Sequence, residues 1–256
     1  MTTASPRDRT RSHGIVQELG AAIVTGAYAD RPFPVEFELA QQFQASRSVV
    51  REAVKMLTAK GLLRARPRQG TWIQAEEFWN LQDPDVLRWM LQRRFSLPLL
   101  IEFTEVRLGV EPAAAALAAV SATRTQSARI AEAIERMYAA GRGEDDSLES
   151  DIAFHSAVLK ATGNRFYAQQ CELIETALRF SIRQTNSYKG VSLASIEDHR
   201  RVADAIFAGD AAGAEAAMRY LVQEALGLMQ SALAPNVEAE PSKSVLPFPS
   251  ANQTTG

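Results

Sequence analysis

The spacing of apolar residues changes abruptly at Gly61, and that change limits the fold more than any other feature of the chain. Ahead of it, the segment SRSVVREAVKMLTAKGLL (46–63) keeps Val50, Ala53, Val54 and Leu57 on one helical stripe. Beyond it, LLRARPRQGTWIQ (62–74) sets Leu62 and Leu63 on one side of a basic turn and Trp72 and Ile73 on the other. That pattern predicts two short strands joined by a hairpin. Ser46 is a suitable N-cap for the helix and Gly61 a suitable stop.

Two further helices are expected upstream. Ile15, Val16, Leu19, Ala22 and Ile23 form a stripe over 13–26, and ADRPFP (29–34) breaks it. VEFELAQQFQ then reads as a short amphipathic helix with Leu39, Ala40 and Phe43 inward. Helix, helix, turn, helix and hairpin over 13–75 make a winged helix-turn-helix, preceded by a flexible N-terminus at 1–12. An Asp-Pro helix opening in DPDVLRWMLQ marks a linker and linker helix over 76–96. Helical periodicity follows near 98–120, 125–141, 148–162, 165–186, 194–208 and 211–231, with no strand pattern between. Short connections imply antiparallel neighbours, so 97–232 is expected to be a helical bundle. Residues 233–256, rich in Pro, Ser and Asn, read as a disordered tail. The fold class is therefore mainly α.

Charge divides along the same line. Residues 1–75 hold 11 Lys and Arg against 6 Asp and Glu, while the remainder holds 17 against 24. A basic front on an acidic body points to an anionic partner for the front. The single cysteine, Cys171, forbids an intrachain disulfide, and residues 1–12 lack the apolar run of a signal peptide. No stretch approaches the 18 or so apolar residues of a membrane span. A cytoplasmic setting without membrane contact is expected.

The anion expected at the front is double-stranded DNA. In a helix-turn-helix, the N-terminal residues of the second helix meet base edges in the major groove. Ser46, Arg47 and Ser48 form that tip here, with Arg51 one turn on. Arginine forks onto guanine, while hydroxyls and helix N-terminal amides suit phosphates. In the wing, Arg66, Arg68, Gln69 and Gly70 are candidates for the backbone or minor groove.

At this point the sequence resembles a known family. ELAQQFQASRSVVREAVKMLTAKGLLRARPRQGTWI is similar to the DNA-binding domain of the GntR family in Glu38-Leu39-Ala40, Ser46-Arg47, Val50-Arg51-Glu52-Ala53, Leu57, Gly61-Leu62 and Gly70-Thr71. One departure is Phe37, where the family often carries a polar or basic residue that touches DNA. The back half resembles the all-helical FCD effector domain through EVRLGVEPAAAALAA, DIAFHSAVLKATGN and DHRRVADAIFAGDAAGAEAAM. The linker WNLQDPDVLRWML is similar to that of sugar-acid repressors of the galactonate type.

Asp151 and His155 lie four residues apart, on one side of a helix, and His199 is the only other histidine beyond the front. One carboxylate and two imidazoles on inward faces suit a divalent metal, or simply a satisfied polar core. The resemblance implies the former, since the family places metal ligands at these positions. Zinc is the first expectation, with nickel and manganese open. A fourth family ligand, a histidine, is replaced by Leu221. The resemblance also puts Arg107 where an effector carboxylate would bind; an ion pair with Glu111, four residues on, is the alternative. Asn164 is a candidate contact or a turn cap, and Arg179 and Arg183 are candidates for a polyhydroxy acid.

The expectation is a homodimeric regulator, a repressor, that grips a palindromic operator and releases it on binding a small carboxylate such as a sugar acid. An activator of the same fold, and a non-haem metalloenzyme using Asp151, His155 and His199, are the alternatives.

Overall fold

The computed structural model describes residues 6–66, 70–93, 96–185 and 195–233, with the side chains of 6–9 and 182–185 excepted. Among these residues the chain is helical apart from one two-stranded sheet. Helices α1 (Pro6–Val24), α2 (Glu36–Gln42) and α3 (Arg47–Ala59) come first, then strands β1 (Leu63–Arg66) and β2 (Gly70–Ile73). The strands pair antiparallel, Leu63 opposite Ile73 and Arg66 opposite Gly70. Helix α4 (Pro84–Arg93) leads to α5 (Leu97–Ser121), α6 (Arg124–Gly141), α7 (Ser147–Ala161), α8 (Arg165–Gln169), α9 (Cys171–Thr185), α10 (Ile196–Ala208) and α11 (Ala211–Leu233).

The winged helix-turn-helix forms around one apolar cluster. Val16, Leu19 and Ile23 of α1 meet Leu39, Val50, Leu57 and Leu63, all buried. Each such side chain contributes about 1.5–3 kcal/mol by leaving water. Helix α1 begins at Pro6, inside the first twelve residues expected to be flexible. Its start is tied down: Arg11 donates to the Gln44 carbonyl at 2.6 Å, and Ser12 is buried.

Helix α4 serves two cores. Val86 and Trp89 belong to the cluster of the winged helix, whereas Leu87 and Leu91 belong to the bundle. Its N-terminus is fastened by Lys60, which reaches Asp83 at 2.7 Å and Asp85 at 2.8 Å. Gln17 of α1 donates to Asp85 at 3.0 Å and accepts from the Trp89 indole at 3.3 Å. Gly20 leaves the Trp89 ring no competitor for its seat on α1. The linker helix is thus packed into both cores, Val86 and Trp89 on one side and Leu87 and Leu91 on the other.

In the bundle, α5 and α11 run antiparallel, Thr104 of one contacting Met229 of the other. A core of Ala115, Ala118, Ile130, Phe154, Val202 and Met218 fills the space between them and α6, α7 and α10. The helix expected over 165–186 is two helices, broken at Gln170. No helix among the described residues is long and apolar enough to cross a membrane.

Candidate functional site

Two places carry chemistry: the exposed tip of α3 with the hairpin beside it, and a buried polar cluster in the bundle.

Ser46 caps α3, its hydroxyl accepting from the Val49 amide at 3.4 Å, and its oxygen lies 2.9 Å from that of Ser48. Val49, Val50, Ala53, Val54 and Leu57 turn inward, which leaves Arg47, Ser48 and Arg51 on the outer face. Arg51 donates through Nε and Nη2 to Glu36, at 3.1 and 3.0 Å. An ion pair this exposed is weak, so a phosphate or guanine can replace Glu36 at little cost. The Arg47 guanidinium stacks over the Phe37 ring at 5.1 Å, and Arg66 over Trp72 at 5.5 Å. Phe37 departs from the family pattern as a contact to DNA, but here it supports the arginine at the tip of α3. Gly70 opens β2 with φ +86°, a backbone that favours glycine. Arg68 and Gln69 lie outside the described residues.

In the bundle, α7 presents Asp151 and His155 on one inward face, and the start of α10 brings His199 to them. Single donor atoms of the three lie within 4.8 Å of one another. Asp151 Oδ1 is 3.1 Å from His199 Nε2, and Asp151 Oδ2 is 3.8 Å from His155 Nε2. Those separations are near the ~3.3 Å edge of a tetrahedral set built from zinc bonds of about 2.0–2.1 Å.

The partners of the other ring nitrogens fix the tautomers. His199 Nδ1 faces the Ser195 carbonyl at 3.1 Å, which only accepts, so Nδ1 carries the proton. His155 Nδ1 faces Glu111, whose carboxyl is held at about 2: burial raises it, and the Arg107 charge and His155 more than offset that. Glu111 is therefore an acceptor as well, and both imidazoles direct Nε2 toward Asp151. His199 Nε2 is fully buried and, despite the short distance to Asp151, outside hydrogen-bond geometry. A carboxylate facing two ring nitrogens calls for positive charge, from ring protons or from a bound cation. A divalent cation here could take one donor atom from each of the three side chains. Asp151 stays ionised against burial through the His199 contact and the charges of His155 and Arg107. The buried Phe154 packs its ring edge-on against both imidazoles, at 5.6 and 4.9 Å.

Around this cluster the predicted effector residues separate. Arg107 is buried and donates from Nε to Glu111 at 2.5 Å, the ion-pair alternative. Glu111 in turn holds His155, so Arg107 acts on the cluster through two carboxylate oxygens. Asn164 caps α8, accepting from the Phe166 amide at 2.9 Å. Arg179 pairs with Glu149 in a separate groove with Arg136, Lys160 and Glu175. The side chain of Arg183 lies outside the described residues. The fourth-ligand position, Leu221, is buried among Met218 and Val222. A cavity of about 510 Å³ reaches Asp151 past Tyr138, Ser147, Ser150, Ser195 and Glu197, residues that sequence reasoning did not select. They are ordinary surface-type residues in sequence, and only the meeting of α6, α7 and α10 makes them a lining.

Two family models match the chain: bacterial regulatory proteins of the gntR family over residues 11–73, and the FCD domain over 102–224. The galactonate operon transcriptional repressor of Escherichia coli K12 is 34% identical over 210 residues, covering 81% of this chain and 92% of that protein. The chain belongs to the GntR family. As a GntR regulator with an FCD domain, it binds DNA and controls transcription. Among its relatives, the regulator LutR of Bacillus subtilis 168 is 31% identical over 185 residues, 70% of this chain and 83% of that one. The solved structure of Lar, which controls the Listeria monocytogenes agr system, shares the fold at TM-score 0.50 and 14% identity, over 90% of this chain and 99% of that chain. These GntR relatives are regulators, so the metalloenzyme alternative is set aside. The two His and one carboxylate belong to the FCD domain.

Proposed function

We propose that the protein is a dimeric repressor of a sugar-acid catabolic operon of the galactonate type. Two winged helices, residues 13–75 of each chain, grip the half-sites of a palindromic operator, and the bundle over 97–232 senses the sugar acid. The observation that carries this reading is the buried Asp151, His155 and His199 cluster with its orphaned Nε2, whose Asp151 lines a cavity that Tyr138, Ser147, Ser150 and Ser195 also border. Likeness to the galactonate operon repressor supports both repression and the ligand class.

At the operator, Arg47 and Arg51 read base edges, Ser46 and Ser48 take phosphates, and Arg66, Arg68, Gln69 and Gly70 follow the backbone. Arg47→Ala is expected to weaken specific binding by ~1–3 kcal/mol, measured by fluorescence anisotropy on a selected palindrome. Unchanged affinity would remove α3 from the groove.

In the bundle, Asp151, His155 and His199 would hold the cation, zinc first. Such an ion supplies a fixed positive charge to receive a carboxylate. Glu111 and Ser195 orient the imidazoles, and Ser147, Ser150 and Tyr138 are placed to bond sugar hydroxyls. Zinc at about 100 times its dissociation constant should add about 2.7 kcal/mol to stability. The test is thermal unfolding with zinc and with a chelator. A shift absent from His199→Ala is expected; equal unfolding temperatures in all samples would discard the ion. Effector binding then favours a geometry in which the two winged helices no longer fit the half-sites. About 3 kcal/mol of preference changes operator affinity about 100-fold.

A further inference from the structure

The first turn of α2 lies against the outer face of α3 and meets two of its arginines. Glu36 accepts from Arg51 at 3.0 Å. The next residue, Phe37, puts its ring under the guanidinium of Arg47, 5.1 Å from the guanidinium carbon to the ring centroid. Phe37 is 49% exposed, and Arg47 is exposed as well. Packing within the chain accounts for Leu39 on the same helix, which is fully buried, but not for Phe37. The protein keeps an apolar ring partly in water, beside a side chain assigned to base edges.

A guanidinium offers two different surfaces. Its edge carries the donors that fork onto guanine, and its flat faces stack on aromatic rings. The two uses are compatible, so Arg47 can keep Phe37 against its face while its edge reads a base. A fork onto guanine O6 and N7 holds the guanidinium close to the plane of that base pair. A ring on its face then stands at the level of the next pair, since base pairs stack about 3.4 Å apart. The major-groove edge of a base pair carries hydrogen-bond donors and acceptors, and one apolar group, the thymine 5-methyl. A phenyl ring can satisfy none of the former, and covering them costs free energy. It can bury the latter.

We propose that Phe37 determines operator specificity: it selects a thymine in the base pair next to the guanine forked by Arg47, by packing its ring on the 5-methyl group. The inference rests on the reading that places α3 in the major groove with Arg47 on a base edge. It adds an apolar contact from α2 to the polar contacts of α3. One stacked unit, Phe37 with Arg47, reads two adjacent base pairs, so each half-site carries guanine and thymine as neighbours. The same stacking restricts the Arg47 side chain before DNA arrives, which lowers the ordering cost of the fork.

Fluorescence anisotropy with the full chain, on a palindrome obtained by in vitro selection, tests the assignment. The guanine is located first: its replacement weakens the wild type but not Arg47→Ala. Deoxyuridine then replaces the neighbouring thymine, which removes the methyl and nothing else. The wild type should lose about fourfold in affinity for each half-site so altered, the worth of one buried carbon. Cytosine at that position should also bind more weakly, and 5-methylcytosine should recover part of the loss, because the same methyl returns. Phe37→Ala should bind the thymine and deoxyuridine sites equally. The base substitutions use the wild type alone, so the test stands even if Phe37→Ala fails to fold. Three results overturn the role of Phe37 alone: no thymine beside that guanine in the selected half-site, equal binding of thymine and deoxyuridine sites by the wild type, or a methyl preference that persists in Phe37→Ala. Unchanged affinity in Arg47→Ala overturns the docking of α3, and this inference with it.

Discussion

Glu111→Leu is expected to destabilise the protein by about 3–5 kcal/mol, the cost of leaving one partner of a buried ion pair uncompensated. Arg107 and Glu111 are 5% and 1% exposed at their side chains, so no water can replace the lost carboxylate. The same change strips His155 of the acceptor that holds its Nδ1 proton. Zinc affinity should fall about 10–100-fold, as for other partners that orient a metal-bound imidazole. Chemical denaturation and a zinc titration measure the two effects. A double variant, Arg107→Met with Glu111→Leu, should recover much of the stability, because the stranded charge is gone. It should not recover the zinc affinity, because His155 still lacks its partner. If the single variant is as stable as the wild type, the buried pair does not have the role assigned to it.

Gly61→Val is the second change with a large expected effect. Gly61 stands at φ +79° between the end of α3 and β1. Its amide bonds the Thr58 carbonyl, and the Leu62 amide returns to Leu57 at 3.1 Å. A β-branched residue in this left-handed backbone costs ~1–2 kcal/mol before any contact is counted. A Cβ here would also press into the Phe78 carbonyl, which is backbone and cannot swing aside. A total near 3–4 kcal/mol is expected, and the wing moves with it. Operator binding should be lost while zinc binding in the bundle persists. Wild-type operator affinity in Gly61→Val would mean that the wing is not held by this turn.

Much of this was legible in the sequence because local rules agree with one another in the front half. Ser46 caps, Gly61 stops, and the period change at Gly61 marks the wing, all within 30 or so residues of one another. The coarse bundle was legible for the same reason: its helices announce themselves by periodicity and by short breaks. What stayed hidden depends on long-range meetings. Glu111 and His155 are separated by 44 positions, and nothing local tells a glutamate that it will orient an imidazole. The i, i+4 spacing of Arg107 and Glu111 offered the pair as an alternative, and burial decided it. In sequence, Asn164 is open between a ligand contact and a turn cap, and Arg179 is a candidate for a polyhydroxy acid. One caps α8, and the other has Glu149 as its partner. Phe37 is the reverse case: a residue that breaks the expected pattern in sequence holds Arg47 in space. The break at Gln170 is silent in periodicity, since the stripe resumes almost in register.

The most direct measurement is operator affinity by fluorescence anisotropy, on a palindrome obtained by in vitro selection, with and without galactonate in the presence of zinc. Wild-type protein should bind the site, and galactonate should weaken that binding by at least about tenfold, ~1.4 kcal/mol. His199→Ala should bind the same site and ignore galactonate. An operator affinity that galactonate leaves unchanged in the wild type, or changes equally in His199→Ala, would contradict a sugar-acid sensor built on Asp151, His155 and His199.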